Sequence, residues 1–217
     1  MDSADPVHRI RGSVYCLFLE KGVKLFLLII GAFLMGSIPC GVLVARLKGI
    51  DLKKVGSGNI GATNVLRTTG KWPALLTLAG DILKGVIPVA MGRYLVNDLT
   101  LEGIIGLSAI LGHNFSVFLR FRGGKGVATS IGVLLVFSPK AALVTAVIWL
   151  AVIFFTRYSS LGAIVSFGVL PLTVYWVDYA RERLTISLMM SALLMLRHAD
   201  NIKRLMQGTE PKIGKRV

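Results

Sequence analysis

Apolar residues fall into seven runs, at 23–45, 72–96, 101–119, 127–138, 141–156, 159–177 and 184–196, and this pattern limits what the chain can fold into. A helix crossing a bilayer needs ~20 predominantly apolar residues, with a range of ~17–25. Runs one, two, three and six qualify outright, and the fifth is borderline. Runs four and seven are too short alone, so they must borrow flanking polar residues or lie deep in a bundle. None alternates apolar and polar residues with period two, as strands of a membrane barrel would. The fold class expected is all-α, a polytopic membrane protein of about seven transmembrane helices. Residues 1–22 read as an N-terminal extension, since no small-residue cleavage site precedes the first long run. Residues 23–217 read as one integral membrane domain without internal repeats.

Composition supports this reading and excludes others. The chain has 217 residues, 54% of them hydrophobic and 17% charged, with a formal charge of +14. A nucleic-acid binder could carry that charge, but not a mean hydropathy of +0.71. No nucleic-acid partner is expected. Cys16 and Cys40 make no disulfide framework and read as reduced thiols. No His/Cys cluster has metal-ligand spacing, so neither a metal nor a cofactor is expected.

Basic residues set the orientation. With the N-terminus outside and the C-terminus in the cytoplasm, 16 of the 25 Lys and Arg residues face inward, among them Arg46, Lys48, Lys53, Lys54, Arg120, Arg122, Arg157, Lys203 and Arg204. This follows the positive-inside rule.

The orientation places three polar segments on the cytoplasmic side. The first is GSGNIGATNVLR, from Gly56 to Arg67. The second is Arg122-Gly123-Gly124-Lys125-Gly126, and the third begins Arg197-His198-Ala199-Asp200-Asn201. The first contains G-x-G-x-x-G without a preceding strand or a βαβ unit, so it is no dinucleotide fingerprint. The P-loop pattern also fails, because Leu119 occupies the required upstream glycine position and Gly126 replaces the hydroxyl residue after Lys125. The underlying physics remains: glycines let backbone N–H groups converge on an anion, and a helix N-terminus adds positive potential.

Ser57, Asn59, Thr63 and Asn64 supply short polar groups in the first segment. On a helical turn Thr63 and Arg67 are i and i+4, and His198 and Asn201 are i and i+3, so each pair shares a face. Arg67 can hold a phosphate with two parallel hydrogen bonds. Asp81 and Lys84 lie i, i+3 inside run two, where a functional role and a self-satisfied structural pair are equally open. His113 is similarly open. Glu102, Asp98 and Asp178 read as solvated outer-surface residues, and Met189, Met190 and Met195 as helix packing. The H-x4-D acid/base pair of many acyltransferases is absent. A site rich in phosphate binders and poor in bases suggests substrates that already carry phosphate, one of which could serve as the base.

These residues carry a resemblance. GSGNIGATNVLR, the DILKG of run two, GHNFSVFLRFRGGKGVAT and RHADNIKRLMQGTEPKIGK, in this order among seven apolar runs, resemble the bacterial acyl-phosphate-dependent glycerol-3-phosphate acyltransferases of the inner membrane. The resemblance covers 23–215. The 22-residue extension departs from the family's usual start, and Ser116 stands where proline is frequent. It implies transfer of a fatty acyl group from acyl phosphate to the sn-1 hydroxyl of glycerol-3-phosphate. The products are lysophosphatidic acid and phosphate, in the first acylation of phospholipid synthesis, without acyl-CoA or a metal. It further implies that Arg67 and Lys125 hold the glycerol-3-phosphate phosphate. Ser57, Asn59, Gly61 and Thr63, with the backbone of Gly123, Gly124, Lys125 and Gly126, cradle the acyl-phosphate phosphate. His198, Asn64 and Asn201 orient the pocket or the acceptor. The base is a substrate phosphate oxygen or His198. The partners implied are the two substrates and membrane lipids around a monomer. The alternative from another class is an organophosphate or anion transporter, although the motifs lie at one surface and no repeat is seen.

Overall fold

The structure, a computed structural model, describes the backbone of residues 6–214 and the side chains of 22–214. The expectation resting on Cys16 lies outside the described side chains. The elements are α1 (Pro6–Ser37), α2 (Cys40–Arg46), α3 (Ala62–Thr68), α4 (Lys71–Leu95), α5 (Leu99–Asn114), α6 (Val127–Phe137), α7 (Pro139–Thr156), α8 (Ser159–Gly168), α9 (Leu170–Val177), α10 (Arg181–Arg197) and α11 (Ala199–Met206). Among the described residues there is no strand.

All seven apolar runs are helical, but not as seven equal spans. Four segments are long and apolar enough to cross a membrane: Gly22–Arg46, Lys71–Leu95, Leu99–Leu119 and Pro139–Thr156. The α8–α9 pair makes a fifth if its 47° bend lies within one span. Pro171, in the first turn of α9, cannot donate back across that break. The first run is interrupted in the same way at Ile38-Pro39. At ~1.5 Å per residue α6 extends about 16 Å, half of a hydrocarbon core of ~30 Å. It compensates by packing against α4, α5 and α7.

Glycine places α6 against α4 without intervening side chains. A Cβ on Gly132 would lie 2.1 Å from the Ile82 carbonyl oxygen, and one on Gly85 2.3 Å from that of Thr129. Such small-residue contacts replace the hydrophobic driving force that lipid removes. Elsewhere Val133, Leu134, Phe137, Phe167, Leu170, Val174, Met190 and Leu194 fill a core built mainly by α6 and α8–α10. Met190 packs as expected, whereas Met189 is 51% exposed and faces outward.

Two acids expected at a solvated outer surface are held inside. Glu102 is buried and accepts from Arg93 Nε at 3.1 Å and from an Arg93 terminal nitrogen at 2.9 Å. Asp178 accepts from Arg183 at 2.7 Å and from Ser138 Oγ at 2.6 Å. In both cases a cation on a neighbouring helix turn compensates the desolvated carboxylate. Asp98 instead caps α5, accepting from the Leu101 N–H at 2.9 Å. Within the bundle, Lys84 lies 2.8 Å from Asp81 and donates at 2.9 Å to the Ile38 carbonyl, which the α1–α2 break leaves without a helical donor. Cys40 is a free thiol.

Candidate active site

The first polar segment is organised by Asn64. Its Oδ1 accepts from the Ser57 N–H at 2.8 Å, and its Nδ2 donates to the Asn59 and Val55 carbonyls at 2.8 and 3.2 Å. Gly56 and Gly58 adopt φ of 61° and 68°, and a Cβ on Gly56 would meet Asn64 Oδ1 at 2.2 Å. Asn64 therefore shapes the loop that presents Ser57, Asn59 and Gly61, and its amide is occupied by that loop. Short α3 then turns Thr63 and Arg67 to the same cavity, as their spacing predicts. Thr63 Oγ1 lies 3.0 Å from Ser159 Oγ, and Arg67 donates to the Pro211 carbonyl at 2.8 Å. Burial lowers the Arg67 pKa from its ordinary value.

The glycine-rich second segment departs from expectation. The Gly123 and Gly124 N–H groups, expected to cradle a phosphate, donate to the Asn114 and His113 carbonyls at 3.2 and 3.0 Å. A Cβ at Gly123 would lie 2.0 Å from the His113 carbonyl oxygen, so glycine is required there by contact with α5. The Gly124 carbonyl accepts from Arg197 at 2.9 and 3.2 Å, and Arg197 also stacks over Phe115. Of this segment, Lys125 and Gly126 line the cavity, followed by Val127 and Ala128 of α6.

The third segment closes the polar end. His198 ends α10, and its Nδ1 lies 2.9 Å from the Leu194 carbonyl oxygen. That contact requires the proton on Nδ1 and leaves Nε2 as an acceptor. Burial, reinforced by the Lys125 charge, pulls the His198 pKa down to about 4, so the ring is neutral near pH 7. Lys125 Nζ donates to Asn201 Oδ1, and Asn201 Nδ2 donates to Glu210 Oε1 at 2.7 Å. Glu210 also accepts from Ser160 Oγ at 2.6 Å and Arg204 Nε at 2.7 Å. Burial alone would raise its pKa, but hydrogen bonds from Ser160, Arg204 and Asn201 prevail and lower it, so Glu210 is ionised. Burial lowers the Lys125 pKa to about 8; Arg204 and Arg197 act in the same sense and Glu210 opposes them.

Three of these residues are absent from the sequence reading: Glu210, Ser159 and Ser160. Glu210 carries a usable signal, as the sole acid after Asp200 in a Gly-Thr-Glu-Pro turn. The adjacent hydroxyls of Ser159 and Ser160 precede an apolar run and resemble an ordinary helix start.

Ser57, Asn59, Thr63, Arg67, Lys125, His198, Asn201 and Glu210 line a cavity of about 630 Å³. Asp81 and His113 also border it, and much of the remaining lining is apolar, with Leu75 and Ile82 from α4, Ile131 from α6, and Trp149, Leu150 and Ile153 from α7. The volume is that of a small-molecule site.

An all-helical, multi-pass membrane protein is thus defined, with one cavity lined by both cationic polar groups and apolar side chains. The sequence model of the family described as glycerol-3-phosphate acyltransferase matches residues 26–208. A glycerol-3-phosphate acyltransferase of Thermus thermophilus is 51% identical over 189 residues, 86% of this chain and 94% of the relative. One from Trichlorobacter lovleyi is 44% identical over 184 residues, covering 85% and 95%. The crystal structure of PlsY (YgiH), an integral membrane glycerol 3-phosphate acyltransferase in its glycerol 3-phosphate form, superposes with a TM-score of 0.84 at 40% identity. That match covers 88% of this chain and 96% of PlsY. Its lysophosphatidic acid form gives 0.82 at 39% identity with the same coverage. The chain belongs to the glycerol-3-phosphate acyltransferase family and is an acyltransferase, which sets the transporter reading aside.

Proposed function

We propose that this enzyme moves a fatty acyl group from acyl phosphate to the sn-1 hydroxyl of glycerol-3-phosphate, releasing lysophosphatidic acid and phosphate. It acts as a monomer in the bacterial inner membrane with its site on the cytoplasmic side, its N-terminus outside and about seven transmembrane helices, the shorter ones embedded within the bundle. The observation that carries this reading is that one cavity is lined both by Arg67 and Lys125 and by aliphatic and aromatic side chains. A phosphate head and an acyl chain need those two environments side by side. The glycerol 3-phosphate and lysophosphatidic acid forms of PlsY bear the names of the acceptor and product.

In this reading Arg67 and Lys125 hold the acceptor phosphate, while Ser57, Asn59, Gly61 and Thr63 hold the donor phosphate. His198 and Asn201 orient the acceptor. The sn-1 oxygen attacks the carbonyl carbon, the bond from that carbon to the phosphate oxygen breaks, and the hydroxyl proton moves to a phosphate oxygen. A phosphate with a second pKa of ~6 is a stronger base than an imidazole held near 4. N–H or hydroxyl donors in the cavity would meet the developing oxyanion, each worth ~2.7–4 kcal/mol.

The test is an assay of purified protein in detergent with glycerol-3-phosphate and either palmitoyl phosphate or palmitoyl-CoA, quantifying lysophosphatidate. Product from the phosphate donor alone is expected. Absence of product with that donor, or unchanged turnover in Lys125→Ala, overturns the reading.

A further inference from the structure

The last turn of α5 lies directly beneath the segment that carries Lys125. The His113 and Asn114 carbonyls receive the Gly124 and Gly123 N–H groups. The side chains of the same two residues press on the same segment. A Cβ on Gly124 would lie 2.2 Å from His113 Nε2, and one on Gly126 2.8 Å from Asn114 Oδ1. His113 and Asn114 are both buried, at 4% and 0% exposure. The His113 ring is held from two further helices: Thr129 Oγ1 of α6 lies 3.2 Å from Nδ1, and Asp81 of α4 lies 3.8 Å from it. Asp81 is itself fixed by Lys84. The ring therefore touches α4, α6 and the glycine segment at once. The ring borders the cavity, but Gly124 packs against its Nε2 and Thr129 engages its Nδ1, which suits His113 to support the segment.

We propose that His113, backed by Asp81, is a positioning residue that sets the height of the Gly123-Gly124-Lys125 segment, and thereby the place of the Lys125 ammonium in the cavity. The proposal rests on the acceptor-phosphate role given above to Lys125. Removing the ring takes away the support beside Gly124, so the segment can tilt about its hydrogen bonds to the His113 and Asn114 carbonyls and draw Lys125 away from the acceptor. A misplacement of ~1 Å in such a group costs up to ~100-fold in rate. Conversely, a methyl group at Gly124 pushes the segment outward because the ring stands in its path. The two changes are opposite in sense, so they must compensate when combined.

The experiment is a double-mutant cycle of His113→Ala and Gly124→Ala in the purified full-length enzyme, read as KM for glycerol-3-phosphate, kcat, and the thermal shift produced by glycerol-3-phosphate. Each single variant is expected to raise KM by about tenfold or more, and the double variant to recover part of the loss of Gly124→Ala. Lys125→Ala is expected to have a smaller effect in the His113→Ala background than in the wild type. Additive losses in the cycle, or an undiminished Lys125→Ala effect, overturn the proposal. If His113→Ala does not fold, His113→Ser, which keeps a polar group near Thr129 but clears the space beside Gly124, is combined with Gly124→Ala and judged by the same criterion. Wild-type enzyme without product sinks the functional reading alone, because the ligand-induced thermal shift still reports the coupling.

Discussion

Glu210 Oε1 lies 2.6 Å from Ser160 Oγ, joining the C-terminal segment to the start of α8 across fifty residues of sequence. Through Asn201 the same carboxylate reaches Lys125. The cation expected to meet the acceptor is thus steadied by an acid two hydrogen-bond links away.

Glu210→Gln keeps the shape and removes the charge that Arg204 and Asn201 address. Charge-assisted bonds of this kind are worth roughly twice neutral ones. A loss of about 2 kcal/mol, or thirtyfold in kcat/KM for glycerol-3-phosphate, is expected. Steady-state kinetics with the donor saturating checks it; unchanged kcat/KM would remove Glu210 from the site.

Lys125 must be protonated to attract a phosphate, and its pKa is drawn down to about 8. For the free enzyme, kcat/KM should therefore fall as pH rises through that value, about tenfold per pH unit beyond it. The acceptor phosphate is already dianionic there and contributes nothing to this limb. Lys125→Arg should move the limb beyond the measurable range, because a guanidinium keeps its proton. A pH profile of kcat/KM in both enzymes decides.

His198→Gln should retain most of kcat if a phosphate oxygen takes the proton. A decrease of ~100-fold, within the range of general-base catalysis, would instead make the imidazole the base.

Gly132→Ala should destabilise the protein by about 1–3 kcal/mol through overpacking. Its Cβ meets the Ile82 carbonyl, and a backbone atom in a helix cannot yield as a side-chain tip can. Gly31→Ala, with nothing within 4 Å of its Cβ, is the matched control. Thermal unfolding in one detergent measures both.

Length and apolarity alone make runs one, two and three readable in the sequence, and each corresponds to a segment long enough to cross a membrane, as does the borderline run five. Run six qualifies by the same measure, yet Pro171 divides it into two helices bent by 47°. Thr63 with Arg67, and His198 with Asn201, were legible because helical spacing fixes which side chains share a face. Gly123 and Gly124 were not. Glycine serves an anion or a neighbouring helix equally well, and sequence does not show that α5 returns beneath them. Glu102 and Asp178 were misjudged for a related reason: their partners Arg93 and Arg183 face them only after two helices have packed. Glu210 and Ser160 come from distant segments, and only tertiary structure makes them neighbours.

The hydrogen bond from Lys84 to the Ile38 carbonyl bears on how the chain is assembled. The break at Ile38-Pro39 leaves the Ile38 carbonyl with the Cys40 N–H, at 3.1 Å, in place of a donor one helical turn on. Its second donor comes from the next span, on α4, where Asp81 offsets the charge of Lys84. Inside a bilayer no water replaces that donor. The two segments are therefore companions in assembly: the break in the first acquires its full set of hydrogen bonds only once the second has docked beside it.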